Sequence, residues 1–340
     1  MKVAFFLFFP RTLWSPGGGE TQLIKTKEAL EKRGVEVELF NPWSRRKDYD
    51  LFHVFGSTYE VSSFVSTLKS LGVPVVVSAI AYSTKPAWQW KALALLDRLA
   101  PVPTVYGLRA SIYKNADVVV AGSASEAHQL QSFFGVPQEK IKIVPHGVDA
   151  DYFTKADRTL FVSKYGLENF VLQVSRISRA KGQVRLIRAL KGTGLKLVFI
   201  GPLDPGDPEG TQEFLRLVQA NSDWVTYLGP VDYGDPLLAS AYKAARVHVL
   251  PSASESFGLV NLEALAAGTA AVSGRYPPLY DVLGEKVYYC DPFSERSIRK
   301  AVLDAYERGP KPGAVEFVRR ELTWDRVGER LEAIYKELIG

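Results

Sequence analysis

Short apolar runs alternate with helical stretches along the whole chain of 340 residues, in two successive series. The first series of strand-like runs lies at residues 2–9, 35–40, 51–55, 73–80, 117–121 and 141–144, with helical patterns such as residues 20–33 and 123–134 between them. The second series lies at residues 170–174, 195–200, 224–228, 247–250, 270–273 and 286–289. Strands that alternate with helices form right-handed βαβ units around a parallel sheet. The sequence therefore predicts an α/β protein made of two doubly wound, Rossmann-like domains.

The polar stretch at residues 149–166 separates the two series and is predicted to connect the domains. We therefore expect a first domain at residues 1–155 and a second at residues 156–323, each of ordinary domain size. Doubly wound domains bind ligands at the carboxyl ends of their strands, so a cleft between the domains is the expected binding site. Residues 324–340 form a further amphipathic helix, with Thr323 as a suitable N-cap. Its residues at helical spacing are Leu331, Ile334, Tyr335 and Leu338.

The composition excludes several classes of protein. A content of 46% hydrophobic and 23% charged residues is typical of a soluble globular protein. The first apolar run is too short for a membrane span and lacks a signal-peptide cleavage region. Cys290 is the only cysteine and the four histidines lack metal-ligand spacing, so neither an intrachain disulfide nor a zinc site is expected. We expect a cytoplasmic location. The net charge of +5 suits anionic substrates or lipid head groups but is too small to indicate nucleic acid.

Residues 252–269 are predicted to be a loop that turns into a helix, directly after the strand-like run 247–250. The segment carries two carboxylates, Glu255 and Glu263, which can accept hydrogen bonds from hydroxyls. The unpaired N–H groups and positive dipole end of a helix start suit an anion. The N–H groups expected there belong to Phe257, Gly258, Leu259 and Val260. The segment therefore predicts a site for a sugar phosphate, whereas two such glutamates without suitable neighbours would be taken as solvated side chains.

A second candidate site follows the first strand of the second series, at residues 174–182. Arg176 and Lys181 leave this one strand-end loop. The arginine fork matches phosphate geometry and lysine adds a compact charge. Together they can hold a diphosphate and neutralise the charge that grows as it departs, without a metal. The alternative is a basic, solvated loop.

A glycine-rich turn follows the first strand, at Gly17, Gly18 and Gly19, and leads into Glu20. Its exposed backbone and the helix start after it favour an anion. A dinucleotide-binding fingerprint would need glycine at Gln22, so a nucleotide-dependent dehydrogenase is disfavoured. A P-loop is excluded as well, because no Gly-Lys-Ser/Thr follows.

Taken together, these segments resemble the retaining nucleotide-sugar glycosyltransferases of family 4 (glycosyl transferases group 1), which have the two-domain GT-B fold. The resemblance covers nearly the whole chain. It is carried by Glu255 to Glu263, by Arg176 to Lys181 and by the glycine-rich turn. The turn at residues 144–149 also resembles the family's segment at the domain junction, where asparagine is commoner than His146.

The resemblance implies a role for each of these residues. Arg176 and Lys181 would bind the donor diphosphate, and Glu255 with the N–H groups of residues 257–260 would contact donor sugar and phosphate. Glu263 would accept hydrogen bonds from the ribose, and backbone near Val231 would face the base. Gly17 and Gly18 would bring the first domain against the phosphates and the acceptor, and the last helix would cross back onto that domain. The donor would be a nucleoside-diphosphate sugar of the UDP, GDP or ADP type, with no cofactor and no metal.

The acceptor side departs from the family. Many relatives carry a histidine after the fourth strand, but residues 77–83 contain none. His53 lies one strand earlier, and its strand position favours a packed or capping histidine over one that faces the cleft. Residues 85–99 combine tryptophans, leucines and basic side chains. They fit a peripheral membrane-surface or lipid-acceptor element, or a helix packed on its own sheet with lysines that reach solvent, which the sequence favours.

Other functions stay open at this point. A GT-B epimerase would act on the same donors, and a catalytically silent nucleotide-sugar-binding module would only bind them. The complete set Arg176, Lys181, Glu255 and Glu263 argues against the silent module. The acceptor class remains a saccharide, a lipid-linked hydroxyl or a small molecule.

Overall fold

The computed structural model describes residues 1–8, 18–100, 102–253, 255 and 257–340. Within them, every strand-like run of the sequence overlaps a strand. The first series forms β1 (Lys2–Leu7), β2 (Glu36–Leu39), β3 (Leu51–Phe55), β4 (Val75–Ser78), β5 (Val118–Ala121) and β6 (Ile141–Ile143). The second forms β7 (Val171–Val174), β8 (Leu197–Ile200), β9 (Val225–Tyr227), β10 (Val247–Leu250), β11 (Ala270–Gly274) and β12 (Tyr288–Cys290).

The strands form two parallel sheets, as the alternating pattern predicts. One has the order β2-β1-β3-β4-β5-β6 and the other the order β12-β11-β10-β7-β8-β9. In each sheet the chain order reverses at an inner pair, β1 beside β3 and β10 beside β7. Open α/β sheets bind ligands outside the carboxyl ends of their strands at this reversal. The strand order therefore directs attention to the loops that follow β7 and β10.

Helices connect the strands on both faces of each sheet. In the first series they are α1 (Gly18–Lys32), α2 (Ser62–Ser70), α3 (Ala87–Leu99), α4 (Val105–Asn115) and α5 (Ala124–Phe134). In the second they are α6 (Ala150–Thr154), α7 (Thr159–Tyr165), α8 (Gln183–Leu190), α9 (Pro208–Ala220), α10 (Pro236–Ala244), α11 (Leu259–Ala267), α12 (Pro277–Leu283), α13 (Glu295–Arg308) and α14 (Ala314–Glu321), and α15 (Trp324–Ile339) follows. None of these helices is long and apolar enough to cross a membrane.

The strands of the second sheet are continuously apolar because both faces of the sheet are buried. In β8, Leu197 and Phe199 belong to one buried cluster, whereas Val198 and Ile200 belong to another. Successive side chains of a strand point to opposite faces, so both faces of this sheet are covered by helices. Doubly wound packing therefore follows directly from the unbroken apolar runs.

The chain divides into two compact units, Met1–His146 with Trp324–Gly340, and Gly147–Thr323. The dividing point precedes the expected boundary after residue 155. Helix α6 lies between the two positions, and its Phe153 is fully buried in the core of the second unit. Asp149 caps this helix by accepting a hydrogen bond from the Tyr152 N–H at 3.3 Å. The start of the polar stretch is therefore part of the second unit.

Helix α15 belongs to the first unit, as the resemblance implied. It packs closely on α1, since a Cβ placed at Gly328 would lie 3.1 Å from the Cβ of Ala29. Its Tyr335 is buried and joins His53 Nδ1 through a hydrogen bond of 2.5 Å, while His53 Nε2 bonds to Ser78 Oγ at 2.8 Å. Burial lowers the pKa of His53 to about 3, so the ring is neutral. His53 is thus a packed histidine, in agreement with the favoured interpretation.

Candidate functional site

The loop after β7 carries both predicted cations, and two buried glutamines fix its course. Gln173 Nε2 donates a hydrogen bond to the Lys181 carbonyl at 2.9 Å. Gln183 Nε2 donates to Ser175 Oγ and to the Arg176 carbonyl, each at 2.9 Å. The backbone at Arg176 and Lys181 is therefore held from both sides before any ligand arrives.

The loops after β7 and β10 are in direct contact, as the strand order requires. Ala253 N and Ser252 Oγ both donate to the Ala180 carbonyl, at 2.9 and 3.1 Å. Gly182 makes this approach feasible, because its φ is +76° and an added Cβ would lie 2.4 Å from the Pro251 carbonyl oxygen. A residue with a side chain would be strained there and would push the loops apart. The glycine after Lys181 is thus a requirement of packing.

The two loops bring Lys181 and Glu255 together. The ammonium group of Lys181 donates a hydrogen bond to Glu255 Oε1, and the two side chains are 27% and 12% exposed. Arg176 lies on the same loop, with Nη1 4.0 Å from Asp204 Oδ2 on the loop after β8. Both predicted cations therefore lie at the carboxyl edge of the second sheet, each beside a carboxylate.

Helix α11 starts beside these groups. Gly258 precedes it with φ +76° and no side chain caps the helix, while Phe257 is buried. An added Cβ at Gly258 would lie 3.0 Å from the Tyr276 hydroxyl oxygen. Leu259 and Val260 form the first turn, whose N–H groups have no partner within the helix. A helix therefore starts where the sequence predicts one, and anion binding by its first turn stays a prediction.

Glu263 is buried in the middle of α11. Its side chain accepts a hydrogen bond from the Tyr242 hydroxyl at 2.7 Å, and the residue is 7% exposed. Burial raises the pKa of Glu263 to about 7, against the opposing effect of the Tyr242 hydrogen bond. Tyr242 contacts Phe153, which contacts Tyr152 and Tyr233. Glu263 is therefore a carboxylate in an aromatic setting, where ionisation is costly unless a ligand supplies hydrogen-bond donors.

The remaining predicted residues are distributed as follows. Val231 lies after β9 and packs against the same core cluster that contains Phe257 and Tyr242. Gly18 is the first residue of α1 in the first unit, and Gly17 lies outside the described residues. Within the described part of the chain, no group of three or more His, Cys, Asp or Glu residues could hold a metal ion.

Sequence reasoning missed the residues that support this site. Asp204, Tyr242, Gln173 and Gln183 each contact or fix a predicted residue. Gln183 offered a signal, because it directly follows the Arg176–Gly182 loop. Tyr242 offered none, because its partner is 21 residues away on another helix.

Solved structures of the same architecture show the fold of the chain. Sucrose-phosphate synthase from Thermosynechococcus elongatus superimposes with a TM-score of 0.79 at 20% identity, covering 99% of this chain and 98% of that one. HepE of Anabaena in complex with UDP superimposes with a TM-score of 0.76 at 17% identity, covering 99% of this chain and all of that one. Two doubly wound parallel sheets of this arrangement define the GT-B class.

Sequence comparison then identifies the family. The family model described as Glycosyl transferases group 1 matches residues 160–315, and that described as Glycosyltransferase Family 4 matches residues 42–152. A D-inositol 3-phosphate glycosyltransferase of Catenulispora acidiphila is 30% identical over 86% of this chain and 73% of its own length. One of Geodermatophilus obscurus is 34% identical over 72% of this chain, but the match spans only 57% of that relative. The chain belongs to glycosyltransferase family 4.

Proposed function

We propose that this protein is a retaining glycosyltransferase, which moves a sugar from a nucleoside-diphosphate sugar to a hydroxyl acceptor without a metal ion. The observation that carries the proposal is the meeting of Lys181 and Glu255 at the reversal of the second sheet, with Arg176 on the same loop. Family membership supports the reaction class. The loops needed for a diphosphate are fixed in advance by backbone and glutamine hydrogen bonds.

Arg176 and Lys181 would hold the donor diphosphate and stabilise the charge that develops on it as the bond to the sugar breaks. Fixed positive charges aimed at a leaving group lower the barrier most when they need no rearrangement. Glu255 would keep the flexible lysine side chain in place through their ion pair, and its other carboxylate oxygen would accept a hydrogen bond from a sugar hydroxyl. The N–H groups at the start of α11, residues 257–260, would add to anion binding.

Glu263 would bind the ribose of the donor. A carboxylate accepts hydrogen bonds from two adjacent hydroxyls, and these donors would offset the penalty that burial places on its charge. The backbone at Val231 would face the base, and Gly18 with Gly17 would be the contribution of the first unit. The departing phosphate oxygen would take the acceptor proton in a same-face substitution, which retains configuration. A single buried thiol and a nucleotide-sugar donor are consistent with the cytoplasm as the proposed location.

The test is release of nucleoside diphosphate from a panel of nucleotide sugars, with and without acceptors. UDP-sugars come first, because HepE of similar fold binds UDP. D-inositol 3-phosphate heads the acceptor panel, because the relatives above are named for it. Acceptor-dependent release with an α-configured product from an α-configured donor supports the proposal. Tight donor binding without release would assign a silent binding module, and an epimerised sugar without any acceptor would assign an epimerase.

A further inference from the structure

Helix α3 packs against the protein through one side only. Its Trp90 is buried at 6% exposure and stacks on Phe133 with ring centroids 5.4 Å apart. The guanidinium of Arg109 lies 5.9 Å from the same indole ring. Among the residues of α3, Trp90 alone is buried. The sequence favoured a helix that packs on its own sheet. That interpretation explains the buried side of α3, which carries Trp90, but not the other side.

The opposite side of α3 is both apolar and exposed. Trp88 is 67% exposed, Leu95 59%, Leu96 60% and Leu99 74%. At 100° per residue, Trp88, Leu95 and Leu99 lie within about 40° of one another around the helix axis, and Leu96 lies beside them. Val102 and Val105, which follow the helix in the sequence, are 67% and 57% exposed. Contiguous exposed apolar surface of this kind marks an interaction site.

The charges beside this face are all positive. Lys85, Lys91 and Arg98 are exposed, and by helical position Lys91 and Arg98 border the stripe formed by the tryptophan and leucines. Asp97 is the only acidic residue between positions 84 and 100. It lies on the packed side, where it accepts a hydrogen bond from Thr104 Oγ1 and would meet a Cβ at Gly107. The face therefore offers apolar side chains and cations without an anion among them.

We infer that this face of α3 docks onto an anionic lipid bilayer. The tryptophan and leucines would enter the boundary between head groups and acyl chains, while Lys91 and Arg98 pair with lipid phosphates. A symmetric contact between two copies would place these cations near their own equivalents, which disfavours a second copy as the occupant. The helix is about 20 Å long, shorter than the hydrocarbon core, so it lies in the plane of the surface.

The inference is independent of the proposed reaction, because it uses none of the residues to which that proposal gives a role. The experiment is sedimentation of the full chain with vesicles of phosphatidylcholine alone, or of phosphatidylcholine with phosphatidylglycerol. We expect binding to the anionic vesicles that weakens as salt is added. Trp88→Ala and Leu99→Ala should each lower the partition coefficient about tenfold, the effect of withdrawing one large apolar side chain from the interface.

The same unit offers matched controls. Trp43 is 88% exposed and Leu71 is 69% exposed, and neither belongs to α3. Trp43→Ala and Leu71→Ala should leave vesicle binding unchanged, and all four variants should melt as the parent does because the side chains are exposed. Absence of binding to both vesicles would overturn the inference, as would equal losses in the α3 and control variants. A dimer in solution that Leu99→Ala dissociates would instead assign the face to a second copy.

Discussion

Replacing Glu263 by glutamine removes a charge from the interior of the second unit and keeps the shape of the side chain. Burial raises the pKa of this carboxyl from 4.5 to about 7. A carboxyl with a higher pKa in the folded state binds its proton more tightly there than in the unfolded chain. Stability therefore falls as the pH rises from about 4.5 to about 7, and the full penalty is present above that window.

The size of the effect follows from the same values. The difference between 4.5 and about 7, at about 1.4 kcal/mol for each pKa unit, gives a penalty of about 3 kcal/mol at pH 8. Glutamine carries no such penalty, and its carbonyl can accept the hydrogen bond of Tyr242. Glu263→Gln should thus raise the Tm of the second unit at pH 8 by up to about 6–12 °C, and by little at pH 4.5. The new amide N–H groups need acceptors, so this figure is an upper limit.

The assay is thermal melting of parent and variant at both pH values, together with donor kinetics. If Glu263 binds the ribose, the stabilised variant should have a donor KM about tenfold higher at pH 8, with kcat less affected. Glu255→Gln is the matched control, because it removes a carboxylate that is paired with Lys181 and should give no gain in Tm at pH 8. Equal Tm values for parent and Glu263→Gln at pH 8 would refute the claim that a buried charge at Glu263 destabilises the second unit. A gain in Tm with unchanged donor KM would refute the role in binding.

Four further predictions concern the rest of the molecule. Arg176→Ala should lower transfer about 100-fold or more, the scale of losing an electrostatic stabiliser, and normal turnover of the folded variant would contradict the assignment. Activity should persist in excess chelator; complete loss that magnesium or manganese restores would rule out a metal-free reaction. Gly182→Ala should lower stability by about 2 kcal/mol or more and abolish donor binding. Gly192 is the control, because it has the same φ of +76° but an added Cβ there would have no neighbouring atom within 4 Å, so Gly192→Ala should show only the backbone strain. Equal losses of stability in the two variants would refute the packing argument. Tyr335→Phe should leave His53 Nδ1 without its partner and destabilise the first unit by about 1–3 kcal/mol in urea unfolding, and an unchanged free energy of unfolding would contradict this.

The approximate positions of the strands could be predicted from the sequence, because apolar runs bounded by polar residues can be recognised without knowledge of the tertiary structure. The exact ends of the strands could not be predicted. The predicted run 73–80 shortens to β4, Val75–Ser78, and is followed by Ile80 with φ +45°. The run 286–289 shifts to β12, Tyr288–Cys290, because Gly284–Lys286 forms a 3₁₀ turn. In both cases the local backbone, rather than apolar character, sets where the strand begins or ends.

The candidate site was predicted as separate pieces, and the contacts between them came only from the structure. The ion pair of Lys181 with Glu255 depends on β10 lying beside β7, and no pattern in the sequence specifies strand order. The pKa of Glu263 depends on burial that Tyr242 and its aromatic neighbours create. The sequence did not determine whether the apolar side chains of α3 are buried or exposed, for a related reason. Apolar periodicity is the same for a helix face that packs in the core and for one that lies at the surface.

The first unit is built from two pieces of chain separated by the whole of the second unit. During synthesis, β1 to β6 emerge first, but His53 Nδ1 lacks its Tyr335 partner, and the surface of α1 near Ala29 lacks the helix that packs on it, until α15 is made. The second unit is continuous and has all its strands and helices available earlier. The second unit can therefore be completed before the first, although the first begins to be synthesised earlier. The first half of the chain stays incompletely covered until α15 is made. A chain cut short before α15 would contain every residue of the second unit attached to an incomplete first one.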